Sequence, residues 1–106
     1  MAGRKPKVIA DITIFPVGVG PSVGDYVREA FKSMKTIKCL KLMPNAMSTL
    51  IEADDLEGVL TAARKAHDAI AKMGAKRVYI ILRIDHRLDK AENAEYKLKR
   101  IIGKKS

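Results

Sequence analysis

The chain has 106 residues, of which 47% are apolar and 31% charged, the mixture of a folded soluble domain with room for one hydrophobic core. A single cysteine, Cys39, excludes an intrachain disulfide, and no stretch approaches the ~20 apolar residues of a membrane span. The net charge of +9 sits at the ends: residues 1–7 and 90–106 hold nine Lys or Arg against two Glu, while residues 8–89 hold twelve against ten. Basic tails attract phosphate polymers without sequence specificity, so no specific nucleic-acid partner is expected. The opening MAGRKPKVIADITIFP interrupts its apolar run with Asp11 and a proline, unlike a signal peptide, which makes the cytoplasm the expected location.

Residues 1–6 read as a basic tail, 7–90 as the domain, and 91–106 as a C-terminal helix with a second basic tail. Lys7–Phe15 alternates, with Val8, Ala10, Ile12 and Ile14 on one side and Ile9, Asp11, Thr13 and Phe15 on the other, the period of a strand. Ser22 and Asp25 form a capping-box variant that opens a helix carrying Val23, Val27, Ala30, Phe31 and Met34 at helical spacing. Thr36–Met43 and Ala46–Ala53 read as strands around a Pro44–Asn45 turn. Asp54 or Asp55 caps a second helix whose apolar stripe, from Leu56 to Met73, stops at Gly74. Arg77–Asp85 alternates again, and Tyr96, Leu98, Ile101 and Ile102 mark a terminal helix around Ala91–Ile102.

The order strand, helix, strand, strand, helix, strand is that of the ferredoxin-like α+β sandwich: a βαββαβ unit with a four-stranded antiparallel sheet, two helices on one face, and here an added C-terminal helix. The apolar sides of the first and last strands then meet the helices. On the other face Ile9, Phe15, Tyr79 and Ile81 supply more apolar surface than a solvated face needs, which fits burial against another subunit. The topology sets the glycine loop, the Pro44–Asn45 turn and Met47–Thr49 at one end of the sheet, and Glu52, Asp54, Asp85, Arg87 and Asp89 at the other. Ser48 or Thr49 can therefore share a ligand with the loop Val17–Ser22, whereas Glu52 reaches it only from a neighbouring subunit.

The loop FPVGVGPSVGDYV fails as a dinucleotide fingerprint, because position 23 is valine and the third glycine falls at Gly24. No lysine follows in the P-loop position, and Pro21 removes a backbone donor from any phosphate nest. Two readings stand for it: an anion held by Ser22 and the helix start, or a loop that needs glycine torsions. His67 and His86 with one cysteine give no metal set at ligand spacing, and no triad is assigned. His67 is placed at the border of the second helix's apolar stripe, as a packing residue rather than a base. RNA-binding aromatic signatures are absent.

The run ADITIFPVGVGPSVGDYV, followed by MSTLIEADDLEGVLTAARKAHDAIAKMGAKRVYIILRIDHRLDK, resembles the YkoF-like thiamine-binding protein family from Val8 to Lys90. The motifs that carry the resemblance are a P-x-G-x-G-x-S loop (Pro16, Gly18, Gly20, Ser22), T-x-I-E (Thr49, Ile51, Glu52), Ala66–His67, and I-D-x-R-x-D-K from Ile84. The resemblance implies a ferredoxin-like fold, homo-oligomers that pair as dimers of dimers through their sheets, and non-catalytic binding of thiamine or its hydroxymethylpyrimidine portion, with no cofactor. It implies Ser22, Ser48 and Thr49 at the aminopyrimidine edge, Asp11, Glu52 or Tyr79 toward the thiazolium cation, and Pro16, Gly18 and Gly20 in the ligand loop. Two other classes remain open from the residues alone: a regulatory oligomer without this ligand, and an enzyme acting on a small anionic metabolite.

Overall fold

In the computed structural model, which describes residues 7–89 and 93–103, the chain forms β1 (Val8–Pro16), α1 (Gly24–Met34), β2 (Leu40–Pro44), β3 (Thr49–Ala53), α2 (Leu56–Lys72), β4 (Val78–His86) and α3 (Ala94–Ile102). The expected tails at 1–6 and 104–106, and the helix start at Ala91, lie outside the described residues. The strands make one antiparallel sheet in the order β2-β3-β1-β4, the ferredoxin-like arrangement anticipated from element order.

Register follows from β1's alternation, since a one-residue slip would turn Val8, Ala10, Ile12 and Ile14 out of the core. Val8 lies opposite Ala53 and His86, and Ile12 opposite Thr49 and Leu82. The core joins these residues and Ile51 to Ala30 and Met34 of α1 and to Val59, Ala62, Ala66 and Ile70 of α2. β4 is an edge strand, so its helix-side Ile80 and Ile84 remain partly exposed where β1 is fully covered. Among the described residues no helix is long and apolar enough to cross a membrane.

Helix starts differ from one another in a way that the sequence reading missed. Asp55 caps α2 by accepting from the Gly58 amide (2.9 Å), and Asn93 caps α3 by accepting from the Tyr96 amide (2.8 Å). Ser22 does not cap α1: the N-cap is Val23, without a side-chain acceptor, and Ser22 sits one residue too early, exposed. Two strands are shorter than expected. Thr36 and Ile37 close back on α1 by donating their backbone amides to the Ser33 and Met34 carbonyls, and Cys39 turns the chain with φ 67°, so β2 starts only at Leu40. The Asn45 side chain accepts from the Met47 and Ser48 amides, which holds residues 45–48 in a turn and delays β3 to Thr49.

α3 starts against the sheet face that α1 and α2 leave open. Glu52 and Asp85 flank Ile9 in register on that face; Glu52 accepts from the Ala94 amide (3.0 Å), and Lys97 pairs with Asp85. None of its side chains is buried.

Candidate functional site

The mouth between the first turns of α1 and the β2–β3 turn opens into a cavity of ≈ 490 Å³, a size typical of small-molecule sites. Its apolar wall is built from the inner side of β1, Ile12 and Ile14, and from Val27, Phe31 and Met34 of α1. Those helix positions are three, four or seven residues apart, which aligns them on one face. The polar rim comes from Asn45, Ser48 and Thr49 at the turn, with Arg28 on the helix side.

Hydrogen bonds fix that rim. Asn45 spends its carbonyl oxygen on the Met47 and Ser48 amides (2.7 and 2.9 Å), and its own amide donates to the Ser48 carbonyl (2.8 Å). Ser48 in turn donates its hydroxyl to Asp11 (3.1 Å), which also receives Arg83 (3.2 Å), while Thr13 donates to the Met47 carbonyl (3.3 Å). The turn is thus tied to β1 as well as to itself, and β4 supports it only through Asp11. Such support matters because a rim on a loose turn could not hold a ligand edge in one orientation.

The residues expected to act together divide into three groups. Ser48 and Thr49 line the cavity, and Asp11 stands behind Ser48 as its acceptor. The glycine loop lies next to the cavity rather than in it: Gly18 and Gly20 take φ 91° and 96°, Pro16 is buried opposite Val78, and Ser22 is exposed. Left-handed torsions of this kind cost a non-glycine residue about 1 kcal/mol or more, so the two glycines serve the path of the loop. Glu52 is at the opposite end of the sheet, where it completes the start of α3. Tyr79 lies on the open face, stacked on Phe15 with ring centroids 5.3 Å apart.

His67, expected at the core border, is instead exposed beside Asp68 (3.0 Å). Among the described residues no group of three His, Cys, Asp or Glu could hold a metal ion. Asp85 is held below the ordinary carboxylate range by its hydrogen bond and charge contact with Lys97, far from the cavity. Arg28, Phe31 and Asn45 are lining residues that the sequence reading did not select. Their signal was present in part: Gly24, Val27, Arg28 and Phe31 recur at helical spacing immediately after the glycine loop.

Related proteins carry the same frame. The UPF0045 protein MJ1052 of Methanocaldococcus jannaschii is 41% identical over 95 residues, which is 90% of this chain and 92% of that one. A UPF0045 protein of Methanothermobacter thermautotrophicus is 35% identical over 83 residues, covering 77% and 83%. The crystal structure of MJ1052 superposes with a TM-score of 0.82 over 90% of this chain and 95% of that one. A Thermotoga maritima protein provisionally assigned to thiamine biosynthesis or salvage is only 19% identical but shares the fold, with a TM-score of 0.76 over 91% of this chain and 99% of that one. The family model for thiamine-binding proteins matches residues 10–102, from within β1 to the end of α3. By sequence and by fold, then, the chain belongs to the thiamine-binding protein family.

Proposed function

We propose that the protein is a non-catalytic small-molecule-binding protein that takes thiamine or its hydroxymethylpyrimidine portion in the cavity between α1 and the β2–β3 turn. The observation that carries this reading is the pairing of an apolar cavity of small-molecule size with hydroxyl and amide groups on a hydrogen-bonded rim. An aminopyrimidine presents flat apolar faces and a polar edge, so its faces lie against Phe31 and Met34 while Ser48 and Thr49 meet its edge. Asp11 acts through Ser48, and Gly18, Gly20, Pro16 and Ser22 position the start of α1. The family membership and the assignment of the Thermotoga maritima neighbour support the choice of ligand.

We further propose that the working form is a homo-oligomer assembled through the open sheet face. Phe15, Tyr79 and Ile81 lie together there, with Tyr79 and Ile81 each 46% exposed. Only within such an assembly would Glu52 or Tyr79 of a neighbouring subunit approach a ligand.

Thermal unfolding with and without thiamine, thiamine phosphates and hydroxymethylpyrimidine tests the binding reading. A ligand present at ~100 times its Kd adds ~2.7 kcal/mol of stability. Thr49→Val removes a rim hydroxyl at nearly constant volume and is expected to weaken binding by about tenfold, the equivalent of ~1.4 kcal/mol. Melting curves unmoved by all of these compounds would refute the proposal.

A further inference from the structure

The turn that rims the cavity is held from the other face of the sheet. Thr49 pairs with Ile12 and so shares the helix side with the cavity wall. Ser48, one residue earlier, spends its hydroxyl on Asp11 (3.1 Å), and Thr13 donates to the Met47 carbonyl (3.3 Å). Asp11 and Thr13 are alternate residues of β1 that point away from the helices, onto the same open face as Phe15, Tyr79 and Ile81. Residues 45–48 therefore straddle the end of the sheet, with the ligand side on one face and both tethers on the other.

In a single subunit the tether at Asp11 is open to water. The Asp11 side chain is 25% exposed, and Arg83, which meets the same carboxylate oxygen, is 76% exposed. Water competes for an exposed carboxylate, so a hydroxyl held by one is released at little cost. Away from water the same bond is stronger, and breaking it leaves a buried acceptor short of a partner. A second copy seated on the open face covers Asp11 together with Arg83, so no unpaired charge is buried. We propose that Asp11 and Thr13 are positioning residues for the turn and couple the cavity to the open face: a second copy on that face fixes residues 45–48 in the ligand-holding arrangement. This coupling rests on the cavity and the assembly already proposed, and adds a linkage that works in both directions, so a ligand that engages the turn also favours the pairing of subunits.

Calorimetric titration of the full chain with thiamine, combined with light scattering, tests it. Ile81 does not line the cavity, yet the dissociated Ile81→Lys variant should bind thiamine at least fivefold more weakly than the native oligomer. Saturating thiamine should tighten native subunit pairing by at least the same factor. With both tethers removed, by Asp11→Ala and Thr13→Val together, adding Ile81→Lys should cost less than a further twofold. Asp11→Asn keeps an acceptor for Ser48 and should preserve most of the coupling. Hydrogen exchange at the Met47 and Ser48 amides, which Asn45 holds in the turn, should be slower in the native oligomer than in Ile81→Lys. Equal thiamine affinity in the native oligomer and in Ile81→Lys, or equal exchange at those amides, overturns the coupling and leaves the cavity and assembly readings standing. So does a full fivefold cost of Ile81→Lys in the tether-free background, which would mean that the neighbour touches the ligand directly. If neither thiamine nor hydroxymethylpyrimidine binds, the cavity reading fails, and if Ile81→Lys leaves the assembly unchanged, the open-face reading fails; either result takes the coupling with it.

Discussion

The two faces of β1 are made by alternate residues of one nine-residue strand, yet they do different work. On the helix side Val8, Ala10, Ile12 and Ile14 are at most 6% exposed and carry the core. On the other side Ile9, Asp11, Thr13 and Phe15 are only half-buried, mixed polar and apolar, and are joined by Tyr79, Ile81 and Arg83 from β4. Burial on the first face is completed within the chain, whereas on the second it is only partial. A side chain on the first face therefore serves the core and the cavity wall, and one on the second is available to the proposed assembly or, like Asp11 and Thr13, supports the turn.

Three experiments can break or sharpen that contrast. Ile51→Ala should destabilise the fold most, by about 2–5 kcal/mol in chemical denaturation, because it empties a fully buried position on the helix side of the sheet, beside Ala10 of β1. A loss below about 1 kcal/mol would mean that the helix side is less tightly packed than its burial indicates. Ile81→Lys should leave unfolding of the isolated subunit within about 0.5 kcal/mol. Its effect should appear in light scattering instead, as dissociation to monomers; an unchanged assembly would show that the open face is not the contact surface. The smallest effect concerns Asp85, on the open face and paired with Lys97. Because its folded-state pKa is lowered by Lys97, the pair's contribution is present above the unfolded value of about 3.9 and is lost as pH falls through the lower folded value. An NMR titration should find the Asp85 midpoint below that of an ordinary aspartate, and Lys97→Met should return it toward about 3.9.

Strand β1 and helix α2 were legible in the sequence because each buries one face and so repeats with its own period, and β4 because its residues alternate although none of them is fully buried. A cap at Asp54 or Asp55, which the structure places at Asp55, and the stop at Gly74 were legible as local chemistry at a helix end. Ser22 misled because a capping box is recognised by spacing alone, and Ser22–Asp25 has that spacing. The chain instead enters the helix one residue later, after a loop shaped by Gly18 and Gly20. The late starts of β2 and β3 depend on backbone closures at Thr36, Cys39 and Asn45 that no periodicity announces.

Of the site, Ser48 and Thr49 were within reach because topology puts the turn opposite the end of β1. Phe31 and Met34 read simply as helix stripe, since a side chain that lines a cavity has the same spacing as one that fills a core. Arg28 showed in the sequence only as a helix position after the glycine loop, and its place on the cavity rim, paired with Asp25 at 3.1 Å, emerges only in three dimensions. Glu52, read as a ligand candidate, turned out to serve a helix start formed 42 residues further along the chain.

That last bond makes α3 conditional. A nine-residue helix is too short to persist alone in water, and this one buries none of its own side chains. Its opening amide is satisfied by a carboxylate of β3, and its Lys97 is held by a carboxylate of β4. The C-terminal helix therefore leans on the sheet, because these two carboxylates flank Ile9 only when β3 and β4 are both paired with β1.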